Sequence, residues 1–291
     1  MSEVKYIEVK TILSKLKTTD NLFGITYNMN LYRGCQHGCI YCDTRSDCYR
    51  VGDISDISVK ENAVELLRWE LTSKKTKGTI GTGSMNDPYM PIEKELRHTR
   101  QALQAIKDFK FPVHVITKSD LVVRDADILQ DISKTYAAVS FTITSADDRL
   151  AKRIEPHAPS STERFKAMEE LAKKGIYTGI TLMPVLPFIN DMSWNIEAIV
   201  RAAKDHGASY VIPMFGMTLR KGSRDYYYKA LDAGFPGVRQ QYEDLYGDTY
   251  ECYSLGHRGL NYIFRNLIQK LGLTSEMEFY HTVEHKQLSL F

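Results

Sequence analysis

Three of the chain's five cysteines fall within eight residues, in the run Cys35-Gln36-His37-Gly38-Cys39-Ile40-Tyr41-Cys42, spaced C-x3-C-x2-C. Three thiolates on one tight loop can hold three irons of a four-iron cluster. The fourth iron is then left without a protein ligand and is open to chemistry. An electron-transfer ferredoxin would place a fourth cysteine there. A structural zinc site is the competing reading. It takes four Cys or His ligands, usually as paired units, and His37 and Cys48 are candidates, but a second paired unit is absent. A disulfide is the weaker alternative, because the opening residues Met1-Ser2-Glu3-Val4-Lys5 lack the apolar stretch of a secretory leader. The expected compartment is the reducing cytoplasm, where thiolates stay available to metal.

The spacing, with Tyr41 directly before Cys42, resembles the signature of the radical S-adenosylmethionine (SAM) enzymes. The flanking Asn30-Leu31-Tyr32-Arg33-Gly34, the internal His37 and the run Gly81-Thr82-Gly83-Ser84-Met85-Asn86-Asp87-Pro88-Tyr89 narrow the resemblance. They are similar to the spore photoproduct lyase-like branch, often labelled DNA repair photolyases. The resemblance implies a [4Fe-4S] cluster on Cys35, Cys39 and Cys42, with SAM chelated at the open iron. It also implies a reducing electron donor such as flavodoxin or ferredoxin. One electron then cleaves SAM to a 5′-deoxyadenosyl radical that takes hydrogen from a substrate. The cofactors carry that chemistry, and the protein positions them.

Tyr41 holds the family's usual aromatic position. Ser84, Asn86 and Asp87 stand where the family contacts the methionine amino group, although Asn-Asp-Pro is also strong turn chemistry in its own right. Lys118, at the end of a predicted strand, suits the methionine carboxylate by charge; a solvated lysine is the plain alternative. Ser140 and Thr142 alternate along another predicted strand and so share a face. Their hydroxyls can reach ribose or methionine, or simply belong to an ordinary strand. The run from Thr178 to Pro184 matches the segment that packs near adenine, and Gly179 would permit a close approach. Arg149, Glu155 and Pro156 lie in a predicted loop, where they order it, meet substrate or form a solvated ion pair. One departure stands out. Spore photoproduct lyases carry a cysteine three residues before the Asp-Pro pair to return a hydrogen atom; here that residue is Ser84. A serine O–H is a poor hydrogen-atom donor, which points away from spore photoproduct itself as substrate and leaves Cys48 and Cys252 as alternative donors.

These residues need a scaffold. Predicted strands at 25–31, 78–82, 113–117, 137–143, 176–182 and 210–214 alternate with predicted helices near 93–109, 125–134, 161–174 and 192–206. Alternation of this kind predicts an α/β fold with a parallel sheet, here a partial (β/α)6 TIM-type barrel with a C-terminal helical extension. Function in such barrels gathers at the C-terminal ends of the strands, and the cysteine loop follows the first. The expected organisation is an N-terminal extension (1–24), the radical SAM barrel (25–220), a C-terminal segment (221–282) and a tail (283–291). The stretch 150–161, with two prolines, reads as a loop. No stretch is apolar enough to span a bilayer, so no membrane partner is expected.

Two features hint at nucleic acid. The net charge is only +2, so binding must come from local patches. The segment from Leu219 to Lys229 interleaves four cations with three tyrosines at the expected rim, suited to a backbone and its bases. The plainer reading is a helix that packs its tyrosines. The chain ends Gln287-Leu288-Ser289-Leu290-Phe291, which resembles the pentapeptide that docks bacterial repair proteins on the sliding clamp; an apolar tail folded on the core is the alternative. Damaged DNA is thus the expected substrate. Radical modification of RNA, a peptide or a small molecule is the first alternative, and a clamp-tethered iron–sulfur sensor the second.

Overall fold

Runs of Val, Ile and Thr favour extended backbone, and here they alternate with segments whose apolar residues recur at helical spacing. In the computed structural model, which describes residues 4–281, both kinds of run take regular form. The strands are β1 (Lys5–Ile7), β2 (Leu13–Lys15), β3 (Ile25–Met29), β4 (Tyr32–Arg33), β5 (Ser58–Lys60), β6 (Thr79–Thr82), β7 (Val113–Thr117), β8 (Ala137–Thr142), β9 (Tyr177–Leu182), β10 (Tyr210–Pro213), β11 (Gly216–Thr218) and β12 (Glu251–Tyr253). The helices are α1 (Ala63–Ser73), α2 (Glu93–Leu96), α3 (His98–Asp108), α4 (Ala126–Ile132), α5 (Asp148–Ile154), α6 (Ser161–Lys173), α7 (Ser193–Asp205), α8 (Ser223–Gly234), α9 (Val238–Tyr246) and α10 (His257–Leu271).

Among the described residues the main sheet has seven strands, ordered β10-β9-β8-β7-β6-β3-β2. From β3 to β10 along this order every pair is parallel, and neighbours follow one another in the chain. Parallel neighbours need long crossovers, which α1, α3, α4, α6 and α7 supply. The sheet does not close on itself: β10 and β2 are its edges, so the fold is a partial barrel.

Alternation along the strands sorts the side chains. Val113, Val115, Val139, Phe141, Ile180, Leu182 and Val211 face the helices and form the main core. The residues between them point inward. There His114 Nε2 and Tyr210 Oη each lie 2.7 Å from Ser140 Oγ, and the Thr142 and Thr181 hydroxyls meet at 2.9 Å. Burial pushes His114 down to about 3, so its ring is neutral and bonds without a counter-ion. The barrel interior is therefore packed with side chains, not a pore.

Several expectations change. The segment read as an N-terminal extension carries two strands; β2 pairs antiparallel with β3 and buries Ile12 and Leu13. The helix expected near 93–109 is broken at Arg97, which adopts φ +52° between α2 and α3. The loop expected at 150–161 is helical as far as Ile154. Asp147 caps that helix by accepting from the backbone N–H groups of Arg149 and Leu150, and the prolines lie just beyond its end. The helix α1 was not anticipated. The tail 283–291, with its clamp-like pentapeptide, lies outside the described residues.

Gly179 gives a test of the interior. A Cβ there would overlap the Tyr210 ring, which Ser140 holds in place. Gly179→Ala should destabilise the fold by about 1–3 kcal/mol. This would be read as a lower denaturant midpoint at unchanged slope; an unchanged midpoint would mean that the ring is free to move.

Candidate functional site

The cysteine loop leaves β4 and crosses the C-terminal ends of the parallel strands. Its backbone is tied at three points. Cys35 N–H donates to Ile54 O (2.7 Å), Ile40 N–H to Ile154 O (2.9 Å), and His157 N–H to His37 O (3.1 Å). Side chains then lock it. The Tyr41 hydroxyl donates to Glu155, and Glu155 pairs with Arg164 at 2.5 Å, both residues 1% exposed. The other Arg164 donors reach Thr142 O at 2.8 Å and Pro159 O at 3.0 and 2.7 Å. Burial acts to raise the Glu155 carboxyl, but Arg164, Lys118 and the Tyr41 hydroxyl hold it below its ordinary range. Glu155 therefore orders the loop, and its partner is Arg164, not Arg149.

Asp87 is a second anchor. Its carboxylate accepts from the Thr117 hydroxyl (2.7 Å) and from the backbone N–H groups of Lys118 (2.6 Å) and Tyr89 (2.8 Å). Burial works against its charge, but the His37 ring at 3.2 Å and these hydrogen bonds hold it down at about 2. Asp87 thereby staples the loop after β6 to the end of β7. Asn86 donates to Tyr32 O at 2.8 Å, and Thr44 donates to Met85 O at 3.0 Å, which joins the same loop to the cysteine segment. Gly83 makes the turn between them. Its φ is +102°, and a Cβ would strike the Ile116 carbonyl.

Cys35, Cys39 and Cys42 line one cavity of about 100 Å³, together with Ser84, Lys118 and Thr142. All three are free thiols. Burial pushes Cys35 up to about 11, and it raises Cys39 too, although Lys118 pulls Cys39 back. Without metal Cys35 and Cys39 keep their protons, so metal loading must release them. The donor set fits a cluster with one open iron. Among the described residues no group of three or more His, Cys, Asp or Glu side chains is gathered closely enough to hold a metal ion without rearrangement. Cys48 is exposed and accepts from Arg220 at 3.4 Å; Cys252 is fully buried, cross-strand from Met217. Neither lines the cavity.

A larger cavity of about 330 Å³ opens beside the first, within the range of small-molecule sites. The two share Cys39, Cys42, Thr44, Gly83, Ser84, Met85 and Lys118. Lys118 is half-buried. Burial opposes its charge, but Cys39, Glu155 and Asp87 around it hold its pKa above the ordinary lysine value. Its ammonium lies 5.7 Å from the Tyr41 ring centroid, and Tyr41 lines the larger cavity. Of the residues picked from the sequence, Tyr41, Ser84, Asn86, Asp87, Lys118 and Thr142 thus border the cavities. Asn86 Nδ2 is committed to Tyr32 O, and the Asp87 carboxylate to Thr117 and two backbone N–H groups. Ser140 lies deeper, within its bonds to His114 and Tyr210, and borders neither cavity. What approaches Gly179 is the Tyr210 ring.

The run from Thr178 to Pro184 brings Met183 and Pro184 to the apolar wall of the larger cavity, but sequence reasoning missed Met214 and Met217, which complete that wall. A signal was available for Met214, which directly follows β10 as Met183 follows β9, at the end where barrels place function. The basic, tyrosine-rich segment divides. Tyr227 and Tyr228 are buried, as its plainer reading has it. Tyr226 is exposed and carries the Arg45 guanidinium 3.4 Å from its ring centroid. Arg220 donates to the Tyr250 hydroxyl at 2.7 Å and lies over its ring. Arg220 also lies 5.7 Å from the ring centroid of Tyr49, and of these arginines and tyrosines it is Tyr49 that lines the larger cavity.

With this geometry in hand, comparison with known proteins is decisive: the profile of the radical SAM superfamily matches residues 29–212. The chain belongs to the radical SAM superfamily. The superfamily implies an iron–sulfur cluster and SAM. An uncharacterised protein of Methanocaldococcus jannaschii, MJ0683, is 32% identical over 87% of this chain and 88% of its own length. A radical SAM Nα-GlyT isomerase of Pseudomonas phage M6 is 27% identical over 59% of this chain and 36% of its own. Spore photoproduct lyase complexed with dinucleoside spore photoproduct shares the fold. Its TM-score is 0.69 at 15% identity, covering 93% of this chain and 81% of that one.

The anchoring pair can be tested directly. Glu155→Ala leaves Arg164 charged and unpaired in the interior, so it should cost about 3–5 kcal/mol in a denaturation experiment. Glu155→Leu combined with Arg164→Met should recover most of that loss. A single substitution with no cost would mean that the pair does not hold the loop.

Proposed function

We propose that this radical SAM protein holds a [4Fe-4S] cluster on Cys35, Cys39 and Cys42, binds SAM across the two joined cavities, and acts on nucleic acid, damaged DNA first among the candidates. The observation that carries the reading is that a cavity ringed by three thiols opens into one sized for a small molecule, with Lys118 and Ser84 at the join. Bound there, the cofactors would supply a 5′-deoxyadenosyl radical that removes hydrogen from a substrate. The chain's own part is to position and to exclude. Lys118 offers a fixed positive charge to the methionine carboxylate. Ser84 faces the same space. The methionine wall offers an adaptable apolar surface to the adenosine and to substrate.

The DNA part of the proposal draws support from the lyase complex, whose ligand is a dinucleoside spore photoproduct, and from the stacked pairs Arg45–Tyr226 and Arg220–Tyr250. Stacked guanidinium and phenol faces suit unstacked bases. Ser84 leaves the returning hydrogen atom without a cysteine donor at that position, which favours a lesion other than spore photoproduct. The terminal Gln287–Phe291 pentapeptide is proposed to recruit the enzyme to DNA through the sliding clamp. Flavodoxin or ferredoxin is proposed as electron donor, and the cytoplasm as compartment.

Anaerobic incubation with SAM, reductant and ultraviolet-irradiated DNA, followed by mass analysis of both, tests the reading. The expected products are 5′-deoxyadenosine and a changed DNA base, both lost in Cys35→Ala, Cys39→Ala or Cys42→Ala. SAM cleavage with DNA untouched would redirect the search to RNA, peptide or a small molecule; no cleavage by reduced, iron-loaded protein would end the enzyme reading. For SAM itself, Lys118→Ala should weaken binding about tenfold to a hundredfold, the worth of one charge-assisted hydrogen bond. Unchanged affinity in a calorimetric titration would place another group at the carboxylate.

A further inference from the structure

His37 sits between two of the three cysteines with its side chain 2% exposed. Neither ring nitrogen has a hydrogen-bond partner among the described residues. An imidazole always carries at least one N–H, and burying that donor unpaired costs about 1–3 kcal/mol. Asp87 Oδ2 lies 3.2 Å from Nε2 without forming a directed hydrogen bond, and that oxygen already accepts from the Lys118 N–H at 2.6 Å. The residue is held in place: the His157 N–H bonds the His37 carbonyl, and Gly38 lets the His157 ring pack alongside.

His37 lines the cavity of the three cysteines. It also lines a separate cavity of about 360 Å³, together with Lys152, His157 and Glu163. His37 is therefore part of the wall between the cysteine site and a second opening. A buried imidazole with the Asp87 carboxylate 3.2 Å from Nε2 but no directed hydrogen bond from either nitrogen, on the wall of a cavity ringed by sulfur ligands, is placed to donate to an acceptor within that cavity.

We propose that a His37 ring N–H donates a hydrogen bond to a sulfur of the cluster, orienting it and raising its reduction potential. The proposal rests on the reading that a cluster assembles on Cys35, Cys39 and Cys42. The physical reason is charge: reduction adds an electron to the sulfur-rich core, and an N–H dipole stabilises the more negative state. His37 acts as a positioning residue, not as an iron ligand.

Two variants separate the donor from the wall. His37→Phe keeps a ring in the wall and removes the donor; His37→Gln keeps an N–H. The readout is the cluster midpoint potential of the iron-loaded protein without SAM, followed by electron paramagnetic resonance during a redox titration. The Phe variant should become about tenfold harder to reduce, 59 mV for a one-electron couple, and the Gln variant should stay near wild type. A Phe variant with the wild-type potential would overturn the proposal. Should that variant fail to load iron, nitrogen-15 histidine labelling of the wild type decides. A histidine nitrogen coupled to the reduced cluster in electron–nuclear double resonance is expected, and its absence overturns the proposal. Wild-type protein that binds no four-iron cluster would overturn both this proposal and the reading beneath it, and the iron content reveals that before any variant is made.

Discussion

The arrangement of the cysteine loop depends on a buried ion pair. Glu155 and Arg164 come from the end of α5 and the first turn of α6, yet what they hold is Tyr41, in the middle of the cysteine run. Two charges taken out of water gain little for stability over an apolar pair of the same volume. What they add here is direction. Arg164 also grips the carbonyls of Thr142 and Pro159, so the loop is referenced to the end of β8 and to the chain leading into α6. Asp87 does the same on the other flank, through Thr117 and Lys118. Three thiols on a short loop would otherwise be free to face solvent.

That anchoring explains why the two cavities are one site. The loop after β6 supplies Gly83 and Ser84 to both, the end of β7 supplies Lys118, and the cysteines supply the sulfur. Below them the barrel is filled by the His114–Ser140–Tyr210 set and the Thr142–Thr181 pair. Both cavities lie at the C-terminal rim, above this packed interior.

Much of this was legible in the residues themselves. Cysteine spacing is local, so Cys35, Cys39 and Cys42 could be picked without knowing the fold. Lys118 could be placed because a strand end in a parallel barrel is a predictable location. Other features depend on depth or on distant partners. Period-two alternation puts Ser140 on the inner face, but not how far down the barrel it lies. Asp87 was identifiable as special, yet its partners arrive from β7 and from the cysteine loop. Glu155 had cationic neighbours in Arg149, Arg153 and Arg164, and only packing chooses among them. The helix α5 was hidden by Pro156 and Pro159, which follow its last residue instead of interrupting it.

The central claim is a four-iron cluster with one iron left for SAM. Mössbauer spectroscopy of protein loaded anaerobically with iron-57, recorded with and without SAM, addresses it most directly. The account predicts a four-iron signal in which SAM shifts one iron of the four. A single bound zinc without iron, or a four-iron signal in which SAM changes nothing, would contradict it.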